Sequence, residues 1–238
     1  MTERQRRILE VIMREFMKSA DAVSSNSVVS DYDVRVSPAT VRHEMVELSD
    51  MGYLYKAHSS SGRYPTNLGI RFFVREIMEE DPVPASEEAE LKMELLRNKF
   101  EEEKIIRRAL DILSTQTGST AVSLLNDVLR FKGVSSLTGY KELRDIEVLE
   151  NVMTLLENDR LLRKVFEKGV SKDVCLIMGE ESDVKGLRSC AIVFAPFKYL
   201  NDKAGYVGVI GPRRMRYSKV IPLLRFVRDT IQQSVRGW

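Results

Sequence analysis

The chain has 238 residues, 43% hydrophobic and 30% charged, with 37 basic against 35 acidic side chains. It is too apolar for disorder, and its length fits two modest domains. No apolar run approaches the roughly 18 residues of a membrane helix, and the N-terminus reads as amphipathic rather than as a secretory signal. The expected compartment is therefore the cytoplasm, with no membrane partner. Cys175 and Cys190 cannot build a disulfide framework, and two histidines leave a His/Cys zinc site short of ligands. Neither a metal nor a cofactor is expected.

Charge is spread unevenly. Residues 81–120 carry 9 acidic and 6 basic side chains, and residues 201–238 carry 2 and 8. The first eighty residues are near balance, so any claim of DNA binding there rests on placement rather than total charge.

Thr2 and Gln5 form a capping box, and Ile8, Leu9, Ile12, Met13 and Phe16 repeat behind them at helical spacing. Ser25 opens a short segment whose Val28 and Val29 face inward. Ser37-Pro38 is a sharp helix start, a serine cap followed by proline at the first helical position. That helix is predicted to run to Met51 and stop at Gly52. Val41, Met45 and Leu48 share one face; Ala39, Arg42, His43, Val46 and Asp50 lie opposite. The second face offers a guanidinium, an imidazole and methyl groups near the helix start. Base edges, phosphates and thymine methyls call for such groups, although a solvated face can carry the same residues.

The segment after this helix favours DNA binding. Residues 53–56 read as a short strand, Tyr64 as the start of its return, and residues 57–63 as a polar tip containing His58, Ser60, Gly62 and Arg63. Thr66 caps a last helix carrying Leu68, Ile70, Phe72, Phe73, Val74 and Ile77. This order of helices and hairpin is that of a winged helix-turn-helix, with Arg63 set to meet a minor groove or a phosphate, although an ordinary surface loop would carry the same hairpin.

Val36-Ser37-Pro38-Ala39-Thr40-Val41-Arg42, then Leu48 to Leu54, then His58 through Gly62-Arg63 and Pro65-Thr66, resemble the bacterial heat-inducible transcription repressor family HrcA. The resemblance implies double-stranded DNA as partner, in the form of an inverted-repeat operator upstream of chaperone operons. It also implies a homodimer and the chaperonin as modulator. Ser25, Ser37, Ala39, Thr40, Arg42, His43, His58, Ser60 and Arg63 become the candidate DNA-binding residues. The family usually has asparagine at His43 and aspartate at Glu44. At Ser24 and Asn26 it usually has glycine and a basic residue.

Residues 81–85, with Pro82 and Pro84, read as a linker. A second helical region opens at Ser86, with Leu91, Leu95, Phe100, Ile105, Ile106, Ala109, Leu110 and Leu113 apolar. It packs on the second domain, makes a dimer contact, or does both. Residues 114–120 read as a polar loop, 121–125 as a strand, Asn126-Asp127 as a turn and 128–131 as its return. Helices are predicted over 144–156, with Ile146 inward, and over 159–166. Residues 174–177, 191–194 and 206–210 are of strand length, and a last helix starts at Tyr217 or Ser218. These make an antiparallel sheet with helical cover.

Gly208 to Pro212, with Arg214-Met215 and Tyr217 to Pro222, resemble the same family's C-terminal signature, which implies a GAF-like domain. Family chains are longer, and the missing part falls between about Ser123 and Phe131, which makes this a shortened relative. Arg213, Arg214, Arg216, Lys219, Arg225 and Arg228 form a basic end, read as a solvated face or as a second anion contact.

The expected fold is α+β: a winged helix-turn-helix over residues 1–80, the linker, and residues 86–238 as a helical dimerisation segment plus a reduced GAF-like domain. An enzyme needs convergent acids, bases or nucleophiles. Both histidines fall in the first module, and no phosphate-cradling GxxxxGK[ST] motif occurs. A non-enzymatic repressor is therefore expected, with a ligand- or protein-sensing regulator of a different operator as the alternative.

Overall fold

The computed structural model describes residues 1–31, 36–56, 62–97, 101–169, 171, 173–200 and 203–235. The chain divides into two units, Met1–Glu79 and Glu80–Trp238.

The first unit begins with α1, Glu3–Ser19. The capping box forms: Gln5 N–H donates to Thr2 Oγ1 at 3.2 Å, and Thr2 N–H donates to Gln5 Oε1 at 2.8 Å. Ile8, Leu9, Ile12 and Met13 are fully buried, so the apolar stripe is core. Helix α2 spans Ser25–Asp31 and α3 spans Pro38–Asp50. Strands β1, Leu54–Tyr55, and β2, Tyr64–Pro65, pair antiparallel. Thr66 caps α4, Asn67–Phe72, which continues as a π turn over Phe73–Ile77. Gly69 is required by close approach: a Cβ there would stand 2.2 Å from the Tyr53 carbonyl oxygen.

The second unit is a sheet covered on both faces. Helix α5, Ala85–Leu96, precedes α6, Glu102–Thr117, and Phe100 lies outside the described residues. The predicted loop over 114–120 is therefore mostly helix. Thr117 Oγ1 bonds back to the Leu113 carbonyl at 2.6 Å, and Gly118, at φ +63°, ends the helix. Strand β3, Thr120–Leu125, meets β4, Val128–Lys132, through Asn126 and Asp127, both at positive φ. Helices α7, Ile146–Leu156, and α8, Asp159–Glu167, come next. Strands β5, Cys175–Met178, β6, Cys190–Tyr199, and β7, Lys203–Pro212, complete an antiparallel sheet of order β4-β3-β7-β6-β5. Helix α9, Tyr217–Val235, packs on β6 beside α6.

Alternation along the strands assigns the faces. Val122, Leu124, Ile192, Phe194 and Ile210 join Val152, Leu155, Leu156, Leu162 and Phe166 in a core on the α7/α8 side. Ile146, expected inward, is 72% exposed, because α7 starts at Ile146 and its inward side begins a turn later. Strands β6 and β7 outrun their apolar runs. Pro196 fits inside β6 because β5 pairs only with residues 191–194, leaving no ladder on that side for the missing N–H. Cys175 and Cys190 are buried, and burial pushes the Cys190 thiol up to about 12.

Candidate nucleic-acid interface

Helix α3 is positioned from its start. Ser37 Oγ accepts the Thr40 N–H at 3.1 Å and lies 3.0 Å from Thr40 Oγ1, while Pro38 fixes the first helical residue. Val41, Met45 and Leu48 are buried. Ala39, Arg42 and His43 are exposed and share the outward side, and Thr40 is half-buried. Val46, also on that side, is 41% exposed.

A polar network holds α3 against α1. Arg4 Nε meets the buried Glu44 carboxylate at 2.5 Å, and Gln5 Nε2 donates to Glu47 Oε2 at 2.7 Å. Gln5 thus caps its own helix with its oxygen and clasps α3 with its nitrogen. Glu47 Oε1 stands 3.3 Å from His43 Nε2, one helical turn away. The sequence reading missed this network. Its one signal was a polar Gln5 within an otherwise apolar buried stripe.

The hairpin is tied to the same helix. Val23 and Arg63 exchange both backbone hydrogen bonds at 2.9 Å, adding a third extended segment beside β1 and β2. Gly62 permits this approach, since a Cβ there would stand 2.3 Å from the Val23 carbonyl oxygen. Arg63 Nε donates to Ser49 Oγ at 3.1 Å, and Ser49 Oγ donates to the Met45 carbonyl at 2.7 Å. Arg63 therefore stands at the root of the hairpin with its Nε engaged.

The candidates divide accordingly. Ser37, Ala39, Thr40, Arg42 and His43 come together on the first turns of α3. Ser25 is only 8% exposed, which leaves it little surface for a phosphate. The exposed Ser24 does the capping there, its Oγ accepting the Ser27 N–H at 3.0 Å. His58 and Ser60 lie outside the described residues.

The basic end of the chain is largely ion-paired, with Arg216 still exposed to solvent. Arg214 Nε binds Glu142 at 2.6 Å, and Arg216 binds Asp81 at 2.9 Å. Lys219 Nζ donates to Gln116 at 3.0 Å. Arg225 holds Glu80 with two nitrogens, at 2.7 and 3.1 Å, and meets Asp173 at 3.2 Å. Arg228 binds Asp173 at 3.0 Å and Asp229 at 2.7 Å. Carboxylates from residues 80–81, 142 and 173 fold over these cations, a pairing that sequence distance concealed. The hydrogen bond that Arg225 donates to Glu80 raises the Arg225 pKa above its usual value.

Among the described residues, no group of three His, Cys, Asp or Glu side chains is placed to hold a metal ion. Among the described residues, no helix is long and apolar enough to cross a membrane.

The family model of the HrcA protein C terminal domain matches residues 83–221. The chain belongs to the HrcA family. It is 24% identical to the heat-inducible transcription repressor HrcA of Symbiobacterium thermophilum over 336 residues, covering 98% of each chain. Against the repressor of the same name from Clostridium acetobutylicum it is 23% identical over 337 residues, covering 99% of this chain and 98% of that one. These alignments exceed the 238 residues present, so each relative has a sizeable stretch with no counterpart in this HrcA-family chain. A solved structure, described as the crystal structure of a hypothetical protein at 2.2 Å resolution, superposes with a TM-score of 0.77. It has 16% identity and covers 98% of both chains, which speaks for the fold alone. The HrcA family is one of transcription repressors, not of enzymes.

Proposed function

We propose that the chain is a transcriptional repressor of heat-shock chaperone operons that binds an inverted-repeat operator as a homodimer. The observation that carries this reading is α3. It has a serine cap and a proline start, a buried inner face, and Ala39, Thr40, Arg42 and His43 gathered at its outer beginning. Membership of a repressor family supports it.

In this reading the first unit is a winged helix-turn-helix. Helix α3 enters the major groove: Arg42 and His43 donate to base edges or phosphates, and Ala39 meets a thymine methyl. Ser37 and Thr40 sit at the helix start, where a phosphate is favoured. Arg63, His58 and Ser60 belong to the wing, and Arg63 serves the backbone. A two-fold operator calls for a two-fold protein, hence the dimer. The second unit is a reduced GAF-like domain that holds two copies at operator spacing, with the chaperonin as modulator. Its five-stranded sheet with helical cover supports this. The two-residue turn at Asn126-Asp127 falls where the relatives' extra stretch is expected to be missing.

In vitro transcription from a chaperone promoter carrying the inverted repeat tests the proposal. The wild-type chain is expected to reduce transcript from that template, and R42A is expected not to. Equal transcript with and without the protein would refute it.

A further inference from the structure

The sheet ends at β4, and α6 packs along that strand. Antiparallel register sets Arg130 opposite Ser123 and Lys132 opposite Ala121, away from the Val122/Leu124 core and toward α6. Glu103, Arg107 and Leu110 recur along α6 at helical spacing. With Arg130, Phe131 and Lys132 they line an open cavity of about 400 Å³. That size falls within the range of small-ligand pockets.

Two features of this notch stand out chemically. The cations Arg107, Arg130 and Lys132 outnumber the carboxylates: Glu103 at the rim, and Asp111, which holds Lys132 at 3.0 Å. In addition, Arg130 Nη1 is buried and makes no hydrogen bond among the described residues, and neither does Ser123 Oγ directly across the strand pair. A buried donor without an acceptor is costly, more so when it belongs to a charged group. At the basic end of the chain, by comparison, Arg214, Arg216, Arg225 and Arg228 are each held by a carboxylate. At Arg130 no carboxylate of the described chain takes that place.

We propose that this notch binds a small organic anion. A carboxylate or phosphate head is taken by the guanidinium groups of Arg130 and Arg107, whose planar forks suit either oxyanion. A short apolar body lies against Leu110. The site lies wholly within the second unit and does not rest on the DNA reading.

Calorimetric titration of the full chain at constant ionic strength tests this, with phenyl phosphate, benzoate, inorganic phosphate and benzyl alcohol as probes. Saturable binding of phenyl phosphate or benzoate is expected, and the stronger of the two identifies the head. Benzyl alcohol is expected not to bind, and inorganic phosphate to bind more weakly than phenyl phosphate. R130Q and R107Q should each weaken binding by about tenfold or more, as expected for the loss of a charge-assisted hydrogen bond. Both variants should keep the wild-type melting temperature, and E103Q should bind the anions at least as tightly as wild type. The proposal is overturned if neither organic anion binds, if R130Q binds as well as wild type, or if inorganic phosphate matches phenyl phosphate.

Discussion

The Asp81 N–H donates to the Ser218 carbonyl oxygen at 2.8 Å, filling the position in α9 that Pro222 leaves empty. A helical carbonyl is normally served by the amide four residues later, and proline has none. Ser218 Oγ and Arg216 also bind the Asp81 carboxylate, each at 2.9 Å. The segment expected as a linker is thus anchored to α9 at Asp81 by backbone and side chain. Pro222→Ala restores a competing amide, so hydrogen exchange at Asp81 is expected to quicken while α9 stays helical. An unchanged Asp81 rate would show that the side-chain contacts suffice.

Helix caps and glycine contacts set the stability of the first unit. Ser37→Ala removes the Ser37 Oγ acceptor of the Thr40 N–H and should cost about 1 kcal/mol in denaturant unfolding. Gly69→Ala forces a Cβ against backbone and should cost about 1–3 kcal/mol, as overpacking does. A Gly69→Ala chain as stable as wild type would contradict the close approach at Tyr53.

The same caps explain what the sequence made legible. Thr2 with Gln5 and Ser37 with Pro38 are local signals, because each satisfies orphan amides within one turn. The buried and outward faces of α3 follow from spacing alone. Other features depend on partners far along the chain. Pro222 is tolerated through Asp81, Pro196 because β5 is short, and Arg225 is neutralised by Glu80 and Asp173. At the candidate interface, residue types and helix face were readable. The Gln5–Glu47–His43 chain was not, since Gln5 and Glu47 lie 42 residues apart on different helices.

Arg63 gives a prediction in two parts. Its Nε braces Ser49, so Arg63→Ala should loosen the hairpin root as well as remove a cation. DNA affinity should fall to a similar degree for operator and unrelated duplexes, with the salt slope reduced by about one. A loss confined to the operator would assign Arg63 to base reading instead.

The thiols give a pH prediction. Burial is the main cause raising both Cys175 and Cys190 above the ordinary 9.0, Cys190 to about 12. Folding therefore favours the neutral thiols. The Cys190 contribution to stability is complete below pH 9.0 and is lost as pH climbs toward about 12. Native protein at neutral pH should label with a thiol reagent only at the rate of unfolding, in contrast to immediate labelling in denaturant. Rapid native labelling of Cys190 would contradict its burial.

Base reading by α3 is measured by fluorescence anisotropy. Wild type and R42A are titrated against an inverted-repeat chaperone-promoter duplex and a scrambled duplex, each at two salt concentrations. Tight, salt-sensitive binding that favours the inverted repeat is expected, weakened in R42A by about 1–3 kcal/mol. Equal affinity of wild type for both duplexes, or an R42A affinity equal to wild type, would contradict it.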